Sequence, residues 1–265
     1  MATERSATFD LSRVDWQRLA LPPLGLIAVI ALWHAACVGL DIQVSVLPRP
    51  ALVLEAAIKR WDLLLSEGWV TLKETIYGFL LALVFGIPLA VAVANSRVLN
   101  LTFYPLLIAL QSVPKVALAP ILLVWLGIGI ESKLAIAWLV AFFPIVVDTA
   151  AGLQSTPREL LELARSLRAS PWQIFWKVQF PAALPFIMTG SKVAVTLAVI
   201  GAVIGEFVGS SEGLGYLLLS ATSQINTPLA FASLFALAIL GIVAYLAVVL
   251  VERLLAPLLP PTTRH

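Results

Sequence analysis

The chain has 265 residues, of which 60% are hydrophobic and 12% are charged, and its mean hydropathy is +0.99. Because a bilayer span takes about 20 apolar residues, this composition predicts an all-α membrane protein with about six transmembrane helices and no separate soluble domain. The net charge of +2, the single Cys37 and the widely separated His34 and His265 give no indication of a nucleic-acid partner, a disulfide or a metal site.

The first predicted span follows a mixed-charge N-terminal segment, residues 1–20, which lacks the pattern of a signal peptide. Leu21 to Leu40 is apolar and long enough to cross the bilayer. Ala51 to Leu65 carries both acidic and basic residues, so an amphipathic helix over about residues 51–65 is predicted to lie along the membrane interface. The second predicted span is Val70 to Asn95.

The third apolar stretch, Leu101 to Gly129, contains several prolines, which lack an N–H group and are expected to interrupt the helix. Lys115 lies between two of them. A lysine at membrane depth is costly and is a candidate for a translocation pathway. The alternative is that the Lys115 side chain reaches an interface.

The remaining predicted spans are Leu134–Leu153, Ala182–Ile204 and Pro228–Val251, followed by a short tail, residues 256–265. Lys192 lies within the fifth span, and Glu206 follows the end of that span, so both are further pathway candidates. The prolines expected to break helices are Pro114, Pro120, Pro144, Pro181 and Pro185.

An even number of spans places both termini on the same side of the membrane. Lysine and arginine are more frequent in the segments on that side than in the segments on the other side. The positive-inside rule therefore predicts that both termini are cytoplasmic. It also places the polar interruption between the fourth and fifth spans, residues 156–185, in the cytoplasm.

This polar interruption has two clear signals for helix starts. Thr156 and Ser170 are each followed by a proline and, three residues after the cap, by Glu159 or Gln173. That pattern is typical of a capping box with proline at the first helical position. The first helix has an apolar face made by Leu160, Leu163, Ala164 and Leu167. Such a face needs either a protein partner or the lipid headgroups.

The chain offers no recognisable catalytic apparatus, so it is predicted not to be an enzyme. Neither a phosphate-binding loop, a nucleophile elbow nor a zinc-protease motif occurs in it. Acidic residues are nearly absent from the centres of the predicted spans, where an ion-driven carrier would need them. The sequence therefore indicates a transporter driven from outside the chain, with an ion-gradient-driven secondary carrier as the alternative from another class.

The segment from Glu162 to Pro181 resembles the EAA loop of ABC-importer permeases. Glu162, Ala164 and Pro181 match that pattern at its spacing, whereas Leu163 replaces an alanine and Arg168 replaces a glycine. The flanking sequences are similar to the nitrate, sulfonate and taurine branch of these permeases. They are the stretches at residues 47–50, 125–129, 142–144, 169–173, 181–185 and 206–215.

This resemblance implies a type I ABC-importer permease fold in a single transmembrane domain, residues 21–255, in the bacterial inner membrane. The loop helix, about residues 157–168, would be the coupling helix that docks on a cytoplasmic ATPase. Its candidate docking residues are Arg158, Glu159, Leu160, Glu162, Leu163, Ala164, Arg165, Leu167 and Arg168.

The implied assembly contains two copies of the permease, two ATPase subunits and a periplasmic binding protein. ATP and Mg²⁺ would bind to the ATPase, and this chain would hold no cofactor. The implied substrate is a small organic or inorganic anion such as a sulfonate, taurine, nitrate or an aromatic acid. The alternative substrate within the same class is a vitamin or a pyrimidine precursor.

Arg168 raises a specific structural question. A glycine at this position would end the helix in the left-handed conformation. For an arginine that conformation costs on the order of 1 kcal/mol. We therefore expect either that the helix ends in another way or that Arg168 tolerates the strain.

Overall fold

Helices form most of the chain that the computed structural model describes, residues 16–255. The predicted tail and most of the predicted N-terminal segment lie outside the described residues. The helices are α1 (Trp16–Gly39), α2 (Pro50–Lys59), α3 (Trp61–Asn95), α4 (Arg97–Gln111), α5 (Ala119–Leu126), α6 (Ile130–Gln154), α7 (Arg158–Ser166), α8 (Pro171–Ile174), α9 (Phe180–Gly209), α10 (Leu214–Ser223) and α11 (Thr227–Leu255).

Within the described residues, five helical segments are long and apolar enough to cross a membrane, and a bent pair of helices makes a sixth candidate. The five are residues 21–39, α3, α6, the run from α8 to α9, and α11. The bent pair is α4 with residues 115–126, which meet at an angle of 90°. The expectation of an all-α membrane protein with about six spans is confirmed.

The centre of the bundle is α6, which packs between α3 and α9. A Cβ atom at Gly78 of α3 would approach the Ala137 Cβ atom within 2.5 Å, and one at Gly201 of α9 would approach the Ala137 Cα atom within 2.7 Å. Small residues allow this close approach of backbones, which stabilises helix pairs in lipid. The interface is completed by buried Ala82, Ala141, Ile145, Ala194 and Ala198.

The predicted interfacial helix over residues 51–65 is wrong at its C-terminal end. Helix α2 ends at Lys59, and α3 begins at Trp61 and continues for 35 residues. The break is at Arg60, whose φ of −114° and ψ of 27° are not helical. Asp62, the charged residue of the predicted helix that follows Arg60, therefore lies in the first turn of the long helix α3 instead of in a separate surface helix. Within α2, a hydrogen bond from Lys59 lowers the pKa of the exposed Glu55 carboxyl group.

The predicted helix breaks at Pro144 and Pro185 are also wrong. Helix α6 continues through Pro144, and α9 continues through Pro185. The residues beside Pro144, Phe143 and Ile145, are buried in the bundle. Packing on neighbouring helices maintains a helix across proline, as is common in membrane proteins. By contrast, Pro114 directly precedes the 3₁₀ turn at the 90° bend, and Pro120 lies in the first turn of α5.

The fifth span begins well before its predicted start at Ala182. Helix α8 runs through a π-helical turn, Phe175–Gln179, directly into α9. In this turn the N–H group of Phe180 donates to the carbonyl oxygen of Phe175. Since Pro181 has no N–H group, it cannot continue the regular hydrogen-bond ladder. The irregularity expected at Pro181 is present as this wider turn, without interruption of the helical run.

Candidate functional site

Helix α7 is the element predicted to dock on a partner, and its N-terminus differs from the prediction. The cap position is occupied by Pro157, without a side-chain hydrogen bond to the helix. The Thr156 hydroxyl is buried and donates back to the carbonyl oxygen of Leu153 at 3.0 Å, so it anchors the loop to α6 instead of capping α7. The second predicted box is confirmed, because Ser170 and Gln173 hydrogen-bond each other's backbone in both directions.

Arg168 lies just after the C-terminus of α7 and has a φ of +56°. It therefore adopts the left-handed conformation, one of the two expected outcomes. The Arg168 N–H group donates to the Arg165 carbonyl oxygen at 2.9 Å, and the Ala169 N–H group donates to the Ala164 carbonyl oxygen at 3.0 Å. These two hydrogen bonds define a Schellman motif with Arg168 at the left-handed position. Arginine therefore adopts the conformation that glycine would adopt more easily.

The apolar face of α7 is exposed. Leu160, Leu163 and Leu167 have 47%, 56% and 74% of their surface accessible, and Glu162 beside them is also exposed. In the part of the chain that the structure describes, no residue of α7 is buried. The helix is thus fixed at both ends, by the buried Thr156 and by the Schellman motif, while Leu160, Leu163 and the C-cap residue Leu167 stay accessible.

Lys115 lies at the 90° bend between α4 and α5. Its Nζ atom donates to the Gln111 carbonyl oxygen at 2.8 Å and lies 5.1 Å from the centre of the Phe143 ring. A lysine side chain satisfies exposed carbonyl groups at a helix C-terminus in this way. In the structure, Lys115 therefore caps the C-terminal end of α4 through its side chain.

Lys192, the second predicted pathway lysine, is paired. Its Nζ atom lies 2.6 Å from Oε2 of Glu252, and the side chains are 23% and 26% exposed. The pair joins α9 to the end of α11. Because Glu252 balances its charge, Lys192 does not present an isolated positive charge.

Glu206 lies within α9, near the end of the bundle opposite α7, and is 1% exposed. Its Oε1 atom accepts a hydrogen bond of 2.6 Å from the Thr71 hydroxyl, and its Oε2 atom accepts one from the Gly215 N–H group. Both carboxyl oxygens are therefore engaged by the protein. This arrangement links α9 to α3 and α10.

The sequence reasoning missed Glu74, which is 1% exposed in α3. Its Oε1 atom accepts a hydrogen bond of 2.8 Å from Nζ of Lys133 in α6. The expectation concerned the centres of the spans, whereas Glu74 lies in the first half of α3 and Glu206 near the C-terminal end of α9, where both are buried. A signal was present: Glu67, Thr71 and Glu74 recur at the spacing of one helical face. We call Glu67, Thr71, Glu74, Lys133 and Glu206 the polar cluster.

The connection between α9 and α10 is fitted tightly to the polar cluster. Gly213 has a φ of +107°, and a Cβ atom there would overlap the Glu206 carboxyl group. The Gly213 N–H group donates to Oε2 of Glu67, and the Leu214 N–H group donates to the Thr71 hydroxyl at 2.9 Å. Only glycine combines this positive φ with such a close approach.

An open cavity of about 980 Å³ lies beside the polar cluster. Its polar lining includes Lys73, Glu74, Lys133, Glu206, Ser210, Ser211, Glu212, Tyr216, Ser220 and Ser223. The cavity is at the end of the bundle opposite α7. The described residues contain no group of acidic, histidine and cysteine side chains suited to a metal ion.

Residues 82–259 match the family model described as "Binding-protein-dependent transport system inner membrane component". The chain is 37% identical over 242 residues to the formylaminopyrimidine transport permease protein ThiX of Halalkalibacterium halodurans, covering 89% of this chain and 94% of that protein. It is 29% identical over 257 residues to the taurine transport system permease protein TauC of Escherichia coli, covering 92% and 94%.

A solved structure of the MetNI methionine ABC transporter, in an inward-facing conformation, has a chain with the same fold. The TM-score is 0.66 at 24% sequence identity, and the match covers 76% of this chain and 99% of that chain. This likeness confirms the fold expected from the EAA-like loop, that of a type I ABC-importer permease.

Proposed function

Because this chain belongs to the family of binding-protein-dependent transport system inner membrane components, and is thus a multi-pass permease subunit of an ABC importer, we propose that two copies of it form the pathway for a small solute. A periplasmic binding protein delivers the solute to this pathway. ATP hydrolysis, with Mg²⁺, takes place in two separate ATPase subunits. Both termini of the permease lie in the cytoplasm, which places α7 on the side of the ATPases.

The observation that supports this proposal most directly is the exposed apolar face of α7. Leu160, Leu163 and Leu167 are accessible, although water contact with apolar surface is unfavourable. A helix in a groove of a partner protein buries such residues at the spacing that α7 provides. We therefore assign α7 as the coupling helix, with Glu162 and the neighbouring arginines at the edge of the groove.

The ends of α7 explain how movement of the docked helix would reach the spans. Thr156 is buried and hydrogen-bonded to the end of α6, and beyond Arg168 the capping box of Ser170 begins the helical run that becomes α9. Helices α6 and α9 are the central pair of the bundle. Closure of the ATPases would thus move both helices together, as a rigid-body transition driven by nucleotide binding.

The substrate class that we favour is a heterocyclic vitamin or vitamin precursor. The identity to ThiX, 37%, exceeds the identity to TauC, 29%, at similar coverage. The two lysines that suggested a pathway for anions are engaged by Glu252 and by the Gln111 carbonyl oxygen. A small anion, as in the sulfonate and taurine branch, is the second candidate because the chain also matches TauC along most of its length.

Reconstitution tests these proposals. The permease is incorporated in proteoliposomes together with its ATPase, and its binding protein is added. Uptake of a labelled pyrimidine precursor is then measured, with alkanesulfonates as competitors. Uptake that requires ATP and all components supports the assignment. Uptake by the permease alone under an ion gradient would contradict it and favour a secondary carrier. Uptake of a labelled alkanesulfonate, without uptake of the labelled pyrimidine precursor, would overturn the substrate class alone.

A further inference from the structure

Helix α6 carries an acidic side chain, Asp148, inside its membrane-spanning part. At the usual helical rise, Asp148 lies about 9 Å from the end of the helix at Gln154, in the half of the bundle nearer α7. Its side chain is partly exposed and forms no hydrogen bond or ion pair with another described residue. An acidic residue at membrane depth needs a polar partner or water, since contact with hydrocarbon is costly.

Two glycines bring Asp148 and an aromatic ring to the same edge of the α6–α9 pair. A Cβ atom at Gly190 of α9 would lie 2.9 Å from the Asp148 Cβ atom, and one at Gly152 of α6 would lie 2.6 Å from the Phe186 Cβ atom. Asp148 and Phe186 are thus about one helical turn apart along the pair. Helical spacing places two further exposed residues of α9 beside Phe186. We call the set the open face, namely Asp148, Phe186, Thr189 and Val193.

The neighbouring helices cover other parts of the α6–α9 pair. Helix α3 packs on another side of it, through the buried Ala82. Helix α5 lies on the side of the open face, but only near the end of the bundle opposite α7, where Ala119 packs with Ile136 and Ile204. The chain bends by 90° before α5, and α4 packs on a different side of α6, through Leu107. The open face is therefore uncovered in a single copy of the described chain.

The composition of the open face differs from that of a lipid-facing surface. Between residues 239 and 250 of α11, the exposed side chains are aliphatic apart from Tyr245. The open face instead places an acidic group and a hydroxyl group beside an aromatic ring. Small-molecule sites typically combine an apolar surface with a few polar groups in this way. A water-filled solute pathway therefore suits the open face better than lipid does.

We propose that Asp148 lines the part of the solute pathway nearer α7 and accepts hydrogen bonds from amino groups of the solute. This inference rests on the proposed function, in which two copies of the chain form the pathway. The side chain of Asp148 favours solutes that carry N–H donors, such as an aminopyrimidine, over anions. Phe186 offers the ring of such a solute a flat apolar surface one turn away.

Cysteine labelling of the full-length permease in lipid nanodiscs tests the position of Asp148. Cys37→Ser removes the only cysteine of the chain, which is buried. In this background, Asp148→Cys should react with a charged, membrane-impermeant methanethiosulfonate on the order of tenfold faster than a cysteine that faces lipid. Thr189→Cys makes the same test on the open face if Asp148→Cys does not fold, which its melting temperature shows.

Leu250→Cys is the matched control for labelling. Leu250 is 59% exposed on the aliphatic surface of α11. It lies two residues from Glu252, whose ion pair with Lys192 sets a similar depth to that of Gly190 and Asp148. Labelling of the folded open-face variant as slow as that of Leu250→Cys would overturn the proposal.

Uptake by the complete transporter tests the contact with the solute. Asp148→Leu, which removes both oxygen acceptors, should raise the KM for a labelled aminopyrimidine on the order of tenfold, with little change in ATPase activity. Asp148→Asn retains one oxygen acceptor and should have a smaller effect. An unchanged KM in Asp148→Leu would overturn the proposal. If the wild type takes up no aminopyrimidine, the proposed substrate is wrong, and labelling, which needs neither ATP nor solute, still decides whether Asp148 lines the pathway.

Discussion

Arg168 donates its backbone N–H group to the carbonyl oxygen of Arg165 at 2.9 Å, and it does so with a φ of +56°. The strain of the left-handed conformation is concentrated in one exposed residue at the end of the proposed coupling helix. It is compatible with a well-formed Schellman motif. The arginine side chain is therefore not required for the helix to end at this point.

Replacement of Arg168 by glycine should preserve assembly and stabilise the end of α7 by about 1 kcal/mol, since glycine adopts positive φ without strain. Slower hydrogen exchange in residues 158–169, with ATPase binding unchanged, is the expected result. The control is Arg165→Gly, which places glycine inside the helix and should speed exchange. Loss of ATPase binding in Arg168→Gly would show instead that the arginine side chain contacts the ATPase.

Replacement of Leu163 by aspartate should prevent co-purification of the ATPase, because a charge would be placed in the apolar interface that we propose. The melting temperature of the isolated permease should be unchanged, since Leu163 is 56% exposed. Val98→Asp is the matched control: Val98 is 73% exposed at the same end of the bundle but lies outside α7. Normal ATPase binding by Leu163→Asp would contradict the assignment of α7.

Replacement of Lys192 by methionine should destabilise the permease by about 1–3 kcal/mol, because it leaves the partly buried Glu252 without its partner. Addition of Glu252→Gln should recover most of this loss, as expected for a structural ion pair. Thermal unfolding in detergent measures both effects. If uptake is abolished in the single and double variants while stability is unaffected, Lys192 contacts the solute and the structural assignment is wrong.

Replacement of Gly213 by alanine should destabilise the connection between α9 and α10. The positive φ alone costs roughly 1–2 kcal/mol for a residue with a Cβ atom, and this Cβ atom would also displace the Glu206 carboxyl group. Gly241→Ala in α11 is the control, since a Cβ atom there meets no atom within 4 Å. We expect a lower melting temperature for Gly213→Ala and an equal or higher one for Gly241→Ala. Equal melting temperatures would show that the connection is not held as the structure indicates.

The features that the sequence alone predicted depend on neighbours close in the chain. The number of spans follows from apolar runs, the capping box of Ser170 and Gln173 is contained in four residues, and the apolar face of α7 follows from helical spacing. The family resemblance was also carried by a local pattern, from Glu162 to Pro181. Each of these signals needs no knowledge of how the helices pack.

Other features were decided only by tertiary structure, because their partners are distant in the chain. Lys192 pairs with Glu252, which is 60 residues further along the chain. Glu206 accepts a hydrogen bond from Thr71, from which it is separated by 135 residues. Helices α6 and α9 continue through Pro144 and Pro185, where local propensity predicts breaks. A buried charge is tolerated only where packing brings it a partner, and that partner is set by the arrangement of helices rather than by any nearby pattern.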